Sequence, residues 1–189
     1  MKCPFACYLF SATLLFSVSC SDQTNEAADV VAPDDSQAAA ERDAIMNLGI
    51  KMLVHPAENV YSGGQPTSDQ LDQLAKLGVK QIINLRPAGE MEWDELTHAE
   101  VLGIDYVSIP VAGKEDISVE NAKKFVAALE KHKGEISFAH CASGNRIGAL
   151  MAMHAGKVEG KSSDEAIAIG KQWGMTRLEP AVRELLAGD

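Results

Sequence analysis

The sequence predicts an α/β fold, a central and mostly parallel sheet flanked by helices. Three features carry that expectation. Short β-rich runs alternate with helical patterns from about residue 59 onward, the order expected of strands joined by crossover helices. With 46% hydrophobic and 23% charged residues, the composition is globular, and 189 residues make one domain with some length to spare. A short apolar run at 136–139 leads straight into a loop of small residues and then a helix start, the strand-to-helix junction typical of such sheets.

Taken in order, Asn59-Val60-Tyr61-Ser62 reads as a short strand ending at Gly63-Gly64. Thr67-Ser68-Asp69-Gln70 has the capping-box form, so Thr67 is placed to accept from the Gln70 amide. Leu71, Leu74, Ala75 and Leu77 then form a helical stripe that Gly78 stops. Residues 79–85 (VKQIINL) are a β-rich run bounded by Arg86-Pro87. A second helix is expected at about 91–102, ending at Gly103, and a strand at 104–111, interrupted by Pro110. Ser118 caps a third helix that runs through His132, with Phe125, Val126 and Leu129 on its inner face. Residues 136–139 form an interior strand. From Arg146 to the end the pattern is helical throughout, with a second capping box at Ser162 and Glu165.

The first 44 residues differ from the rest. Residues 1–19 carry Lys2 and an apolar run from 5 to 18, in the position of an export signal and too short to span a bilayer comfortably. Ser17-Val18-Ser19-Cys20 resembles a bacterial lipoprotein cleavage site, with Ser17 where Leu or Val is usual, and marks Cys20 for lipidation. Residues 21–44 hold seven acids against one Arg, a net charge of −6, with Val30 and Val31 their only larger aliphatics. Such a stretch buries too little apolar surface to fold alone. Residues 20–44 are therefore expected to be an acidic flexible tether with a reach of roughly 25–30 Å, although residues 38–40 suit a helix start. The expected arrangement is a folded unit at 45–189, lipid-anchored and facing the periplasm, or secreted.

Charge and cysteine content exclude several functions. Lys and Arg number 17 against 27 Asp and Glu, a net −10, so no nucleic-acid surface is expected. Only Cys141 lies beyond residue 20, which excludes a disulfide scaffold or a cysteine-rich zinc site. His55, His98, His132 and His154 show no ligand spacing, and no metal or other cofactor is implied. Membrane contact is expected through the anchor alone, and the oligomeric state is open.

The chemistry centres on His140-Cys141-Ala142-Ser143-Gly144-Asn145-Arg146-Ile147-Gly148-Ala149, at the end of the fourth expected strand. A loop there, followed by a helix, points free backbone N–H groups and the positive helix end at whatever it encloses. Ala142, Ser143, Gly144 and Asn145 form that cradle, and Gly144 is free to adopt positive φ. Arg146 offers a planar fork for two oxygens of a phosphate-like group. Cys141 sits at the focus, a setting that brings thiol pKa values from ~8.5 into the range ~3.5–7.5. A thiolate facing a bound oxyanion points to covalent transfer onto sulfur. A strand-end cysteine alone reads as a small buried hydrophobe; the neighbouring His, Gly and Arg make it functional. His140 is read as a supporting residue that orients the loop.

This stretch resembles the phosphate-binding loop of cysteine-dependent protein tyrosine and dual-specificity phosphatases. It departs in having C-x4-R where those enzymes have C-x5-R. It is more similar to the bacterial phosphatase-like domains of beta-lactamase-hydrolase-like proteins, which carry the shorter loop. Tyr61-Ser62-Gly63-Gly64-Gln65-Pro66, Ile82-Ile83-Asn84-Leu85-Arg86-Pro87 with Glu90, and Ile109-Pro110-Val111 fit as well, so the resemblance covers about residues 59–173. It implies hydrolysis of a small phosphoester or a phosphoprotein through a cysteinyl-phosphate on Cys141. It also implies a general acid on the loop after the third expected strand, where Asp116 is the first candidate and Glu115 another; Glu90, after Asn84-Leu85-Arg86-Pro87, is a candidate outside that loop. The short loop leaves two alternatives. One is a rhodanese-like sulfurtransferase working through a Cys141 persulfide, whose fold places another strand after the catalytic loop. The other is a catalytically weak module that binds an oxyanion or phospho-ligand.

Overall fold

A computed structural model describes residues 35–188. Five strands form one sheet in the order β1 (Val54–Ala57), β2 (Val60–Gly63), β5 (Ile136–His140), β3 (Val79–Asn84), β4 (Asp105–Ser108). All neighbours run parallel except β1 and β2, which form an antiparallel hairpin. Strand β5 lies in the middle, with Tyr61 opposite Phe138 on one side and Ile83 opposite Ala139 on the other. A strand covered on both faces wants an apolar run rather than alternation, which is why Ile136–His140 carries so few charges.

The helices divide between the two faces. Helices α1 (Asp35–Met46), α2 (Ser68–Lys76) and α3 (Glu95–Val101) cover one; α4 (Val119–Lys131), α5 (Asn145–Lys157), α6 (Ser163–Gln172) and α7 (Glu179–Ala187) cover the other. Period-two alternation assigns the side chains: Ile82 and Phe138 enter one core with Ile45, Leu71 and Leu74, while Ile83 and Ala139 enter the other with Phe125, Leu150 and Ile167. Both expected capping boxes are present, at Thr67 with Gln70 and at Ser162 with Glu165, and Ser118 accepts from the Asn121 amide at 3.2 Å.

Several boundaries differ from the sequence expectation. Helix α1 occupies residues 35–44 of the expected flexible tether, because Ile45 is fully buried and anchors it to the domain. The rest of the tether, the export signal and Cys20 lie outside the described residues. Strand β1 was not expected at all: Pro56 argues against a strand, but an edge position needs no donor there. The helix expected from 91 starts at Glu95, where Asp94 accepts from the Thr97 amide at 3.0 Å; a single 3-10 turn, Ala88–Glu90, precedes it. The strand expected over 104–111 is confined to Asp105–Ser108.

Candidate active site

The carboxyl ends of β2, β3 and β5 converge on the 141–144 loop, the place where parallel sheets bind ligands. The Cys141 amide donates to the Gly63 carbonyl at 3.3 Å, and the Leu85 amide donates to the His140 carbonyl at 2.9 Å. The root of the loop is thus tied to both neighbouring strands. Gly144 takes φ +75° and forms the N-cap of α5, the left-handed turn that the sequence allowed for.

Cys141 is 1% exposed, yet it lines a cavity of about 380 Å³ with Ala142, Ser143, Asn145, Arg146, Arg177 and Leu178. The Ser143 backbone N–H donates to Sγ at 3.5 Å. That contact comes from the backbone of Ser143. Asn145 also does a job the sequence did not disclose. Its Oδ1 accepts from the amides of Thr176 at 2.9 Å and Leu178 at 3.4 Å, clamping the 176–178 loop against the start of α5.

Arg146 is held from the other side of the sheet end. Its Nη2 lies 2.8 and 3.0 Å from the two carboxylate oxygens of Glu90, while the buried Nη1 has no protein acceptor. An orphaned donor of this kind, on a residue lining the same cavity as Cys141 and Ser143, fits an oxyanion held over Cys141. Glu90 is pulled below the ordinary carboxylate range, first by the hydrogen bond from Arg146, against the opposing effect of burial. Arg86 closes the arrangement: it donates to the Glu90 carbonyl and, at 3.0 Å, to Gln65 Oε1.

Beneath the loop lies a polar network sealed from water. His140 and Glu95 are both essentially unexposed, with Nε2 2.9 Å from Oε2, though the approach is not directed as a good hydrogen bond. Glu95 also accepts from Gln65 Nε2 at 2.8 Å and from the Tyr106 hydroxyl at 3.0 Å. Tyr106 in turn accepts from Asn84 Nδ2 at 2.7 Å. Burial, and next the Glu95 carboxylate, push the Tyr106 hydroxyl well above its ordinary value, so it remains a donor. His140 is buried under the loop root, but neither ring nitrogen makes a hydrogen bond to a described residue, so the expected orientation of the loop by His140 hydrogen bonds is not seen.

Asp116 is not among the residues lining the cavity. Its Oδ2 accepts from the amides of Ala112 at 2.8 Å and Gly113 at 3.3 Å, so the carboxylate closes its own 3-10 turn. Arg177, Glu95 and the clamp role of Asn145 escaped sequence reasoning. A second cavity, about 610 Å³, adjoins the first across Ala142 and is walled by Pro66, Thr67, Arg86 and Trp93. A third, about 550 Å³, lies at the opposite strand ends near Val60 and Ser137 and includes none of these residues.

Comparison with known proteins agrees with this geometry. The family described as "DSP-PTPase phosphatase fused to NAD+ Kinase" matches residues 50–181. A beta-lactamase hydrolase-like protein of Xylella fastidiosa (strain Temecula1) is 32% identical over 128 residues, which is 65% of this chain and 29% of that protein. The chain thus spans less than a third of that relative. Among solved structures, a DUF442 protein of Shewanella putrefaciens CN-32 is 26% identical with a TM-score of 0.57, covering 76% of this chain and 96% of its own. The structure of Tk-PTP in its active form shares the fold at 20% identity and a TM-score of 0.57, covering 71% of this chain and 95% of its own.

Proposed function

The chain belongs to that DSP-PTPase phosphatase family, and from this premise we propose that it is a cysteine-dependent phosphohydrolase acting on small phosphomonoesters. The observation that carries the reading is the convergence of Cys141 Sγ, the Ser143 amide and the unpartnered Nη1 of Arg146 on one cavity at the β5–α5 junction. In the first step Sγ attacks phosphorus, the S–P bond forms, and the P–O bond to the leaving group breaks with its electron pair going to that oxygen. Loop N–H groups and Arg146 hold the three equatorial oxygens as charge builds. In the second step water attacks phosphorus, the S–P bond breaks, and orthophosphate and the thiolate are released.

Leaving-group chemistry follows from the same surroundings. Among the described residues, no carboxylate lines the Cys141 cavity; Glu90 is bound as an anion to Arg146, and Asp116 is engaged by its own turn. With no donor poised to protonate the leaving oxygen, aryl phosphates, whose phenolate leaves readily, are the better substrates and alkyl phosphates the poorer. The adjoining cavity beside Trp93 and Pro66 gives a flat leaving group room. Sulfur transfer is disfavoured, since only helices follow β5 among the described residues, where the rhodanese arrangement has a further strand.

One preparation assayed in parallel on p-nitrophenyl phosphate and on thiosulfate with cyanide tests the reading. Phosphate release that vanishes in Cys141→Ser supports it. Thiocyanate formation without phosphate release assigns sulfur transfer instead, and vanadate binding without any turnover assigns a binding module. The proposed address, at the cell envelope through a lipid on Cys20, rests on the sequence alone. Mass spectrometry of membrane-extracted protein is expected to show an acylated Cys20 as the first residue; a chain retaining Met1 in the cytosol contradicts it.

A further inference from the structure

Arg177 lines the same cavity as Cys141 and Arg146, and it is the cation there that nothing balances. Arg146 is neutralised by Glu90 at 2.8 Å. Arg177 makes no ion pair or hydrogen bond through its side chain to another described residue. The carboxylate nearest to it in sequence, Glu179, is already held by Lys171 at 2.8 Å and Arg183 at 3.0 Å. The backbone on either side of Arg177 is fixed, because Asn145, 7% exposed, accepts from both Thr176 and Leu178 amides. The clamp runs from the residue next to Arg146, so the two guanidinium-bearing segments keep a set relation across the cavity.

We infer that Arg177 binds a second anionic group on the substrate, making the preferred ligand a small phosphomonoester that also carries a carboxylate or second phosphate. The inference rests on the reading of the Cys141 cavity as a phosphoester site. The loop amides and Arg146 suffice for the scissile phosphate, which leaves one positive charge of the cavity to be matched by another part of the ligand. A cavity of about 380 Å³ has room for the scissile phosphate and a second anionic group of the same ligand. The surplus cation is local: the protein as a whole carries −10, so a multiply charged ligand is repelled from the surface at large and attracted only at this point.

Phenyl phosphate and 3-carboxyphenyl phosphate differ only in the second anion, so their ratio of kcat/KM reports the subsite. The protein is expected to prefer the carboxylated ester by about tenfold, in line with a charge-assisted hydrogen bond. Arg177→Gln is expected to lower activity on the carboxylated ester about tenfold more than on phenyl phosphate, and Arg177→Lys to restore part of the difference. Equal activity on the two esters, or equal losses on both in Arg177→Gln, overturns the inference. If neither ester shows Cys141-dependent turnover, the phosphatase reading fails by itself. Calorimetric titration of Cys141→Ser, with and without Arg177→Gln, then decides: tighter binding of the carboxylated ester that depends on Arg177 upholds the subsite, and equal binding rejects it.

Discussion

Glu90 holds Arg146 by both carboxylate oxygens, Oε1 at 2.8 Å and Oε2 at 3.0 Å from the same Nη2. The pair fixes the guanidinium plane while spending part of its charge. Glu90→Gln keeps the shape and removes the anion beside the incoming phosphate, a repulsion of about 1 kcal/mol between unit charges ~4 Å apart when screened as in water. Inorganic phosphate is therefore expected to inhibit this variant at roughly fivefold lower concentration, while kcat falls because Arg146 is less firmly aimed. Weaker phosphate binding in Glu90→Gln contradicts this account.

The same pair has a pH signature. Glu90 titrates below its ordinary value near 4.5, chiefly because Arg146 donates to it. A depressed carboxyl keeps its bond above the ordinary value and loses it only as pH falls through the lower, folded one. Between pH 5.5 and 8 Glu90 is thus a constant anion, and kcat/KM profiles of the native protein and Glu90→Gln are expected to be parallel across that window. A limb that disappears in the variant makes Glu90 a titrating catalytic group.

Arg146 carries the only described side-chain donor at the cavity that is both buried and without a protein acceptor. Arg146→Ala is expected to cost about 10²–10³ in kcat/KM on p-nitrophenyl phosphate, by analogy with loss of one oxyanion donor. Arg146→Lys keeps the charge but not the fork, so it cannot hold both Glu90 and the oxyanion, and a loss of about 10–10² is expected. A steady-state loss under threefold for Arg146→Ala removes the residue from the proposed mechanism.

Much of this was legible in the sequence, for physical reasons. The central strand, the loop, Gly144 and Arg146 are local features, and local features print themselves in spacing and residue type. Both capping boxes were legible for the same reason. What escaped depends on the third dimension. Glu95 opens a helix, where an acid is ordinary dipole chemistry, and nothing local says that it is 1% exposed beneath His140. Arg177 stands 31 residues after Arg146 in a loop of no special pattern, and reaches the site only because Asn145 clamps that loop. Strand β1 was hidden by Pro56, which an edge strand tolerates.

Glu95 is the acceptor on which the buried network depends. Glu95→Ala strands the Gln65 amide and the Tyr106 hydroxyl together, and buried donors left unsatisfied cost about 1–3 kcal/mol each. For a domain of this size, 1 kcal/mol corresponds to about 2–4 °C, so a fall in Tm on the order of 10 °C is expected. Glu95→Gln, which retains an acceptor, is expected to lose less. Equal melting of native and Glu95→Ala protein shows that the network contributes nothing to stability.

Gly148 sets how closely α5, the helix that begins beside Arg146, lies on α6. A Cβ at Gly148 meets the Gly170 carbonyl oxygen and the Met175 amide nitrogen, the latter at 2.5 Å; a Cβ at Gly170 meets the Gly148 carbonyl at 2.7 Å. Both obstacles are backbone, so neither is relieved by turning a side chain. Helix propensity alone favours Ala over Gly by about 0.8–1 kcal/mol, while overpacking costs about 1–3 kcal/mol and more when only backbone can move. The clash outweighs the propensity, and Gly148→Ala is expected to lower Tm by several degrees in a circular-dichroism melt. Gly89→Ala is the control, because a Cβ there meets nothing within 4 Å. Since α5 must shift to admit the methyl group, Arg146 moves with it, and kcat on p-nitrophenyl phosphate is expected to fall even at temperatures where the variant is fully folded. A Tm equal to or above that of the native protein shows that the two helices do not meet glycine to glycine.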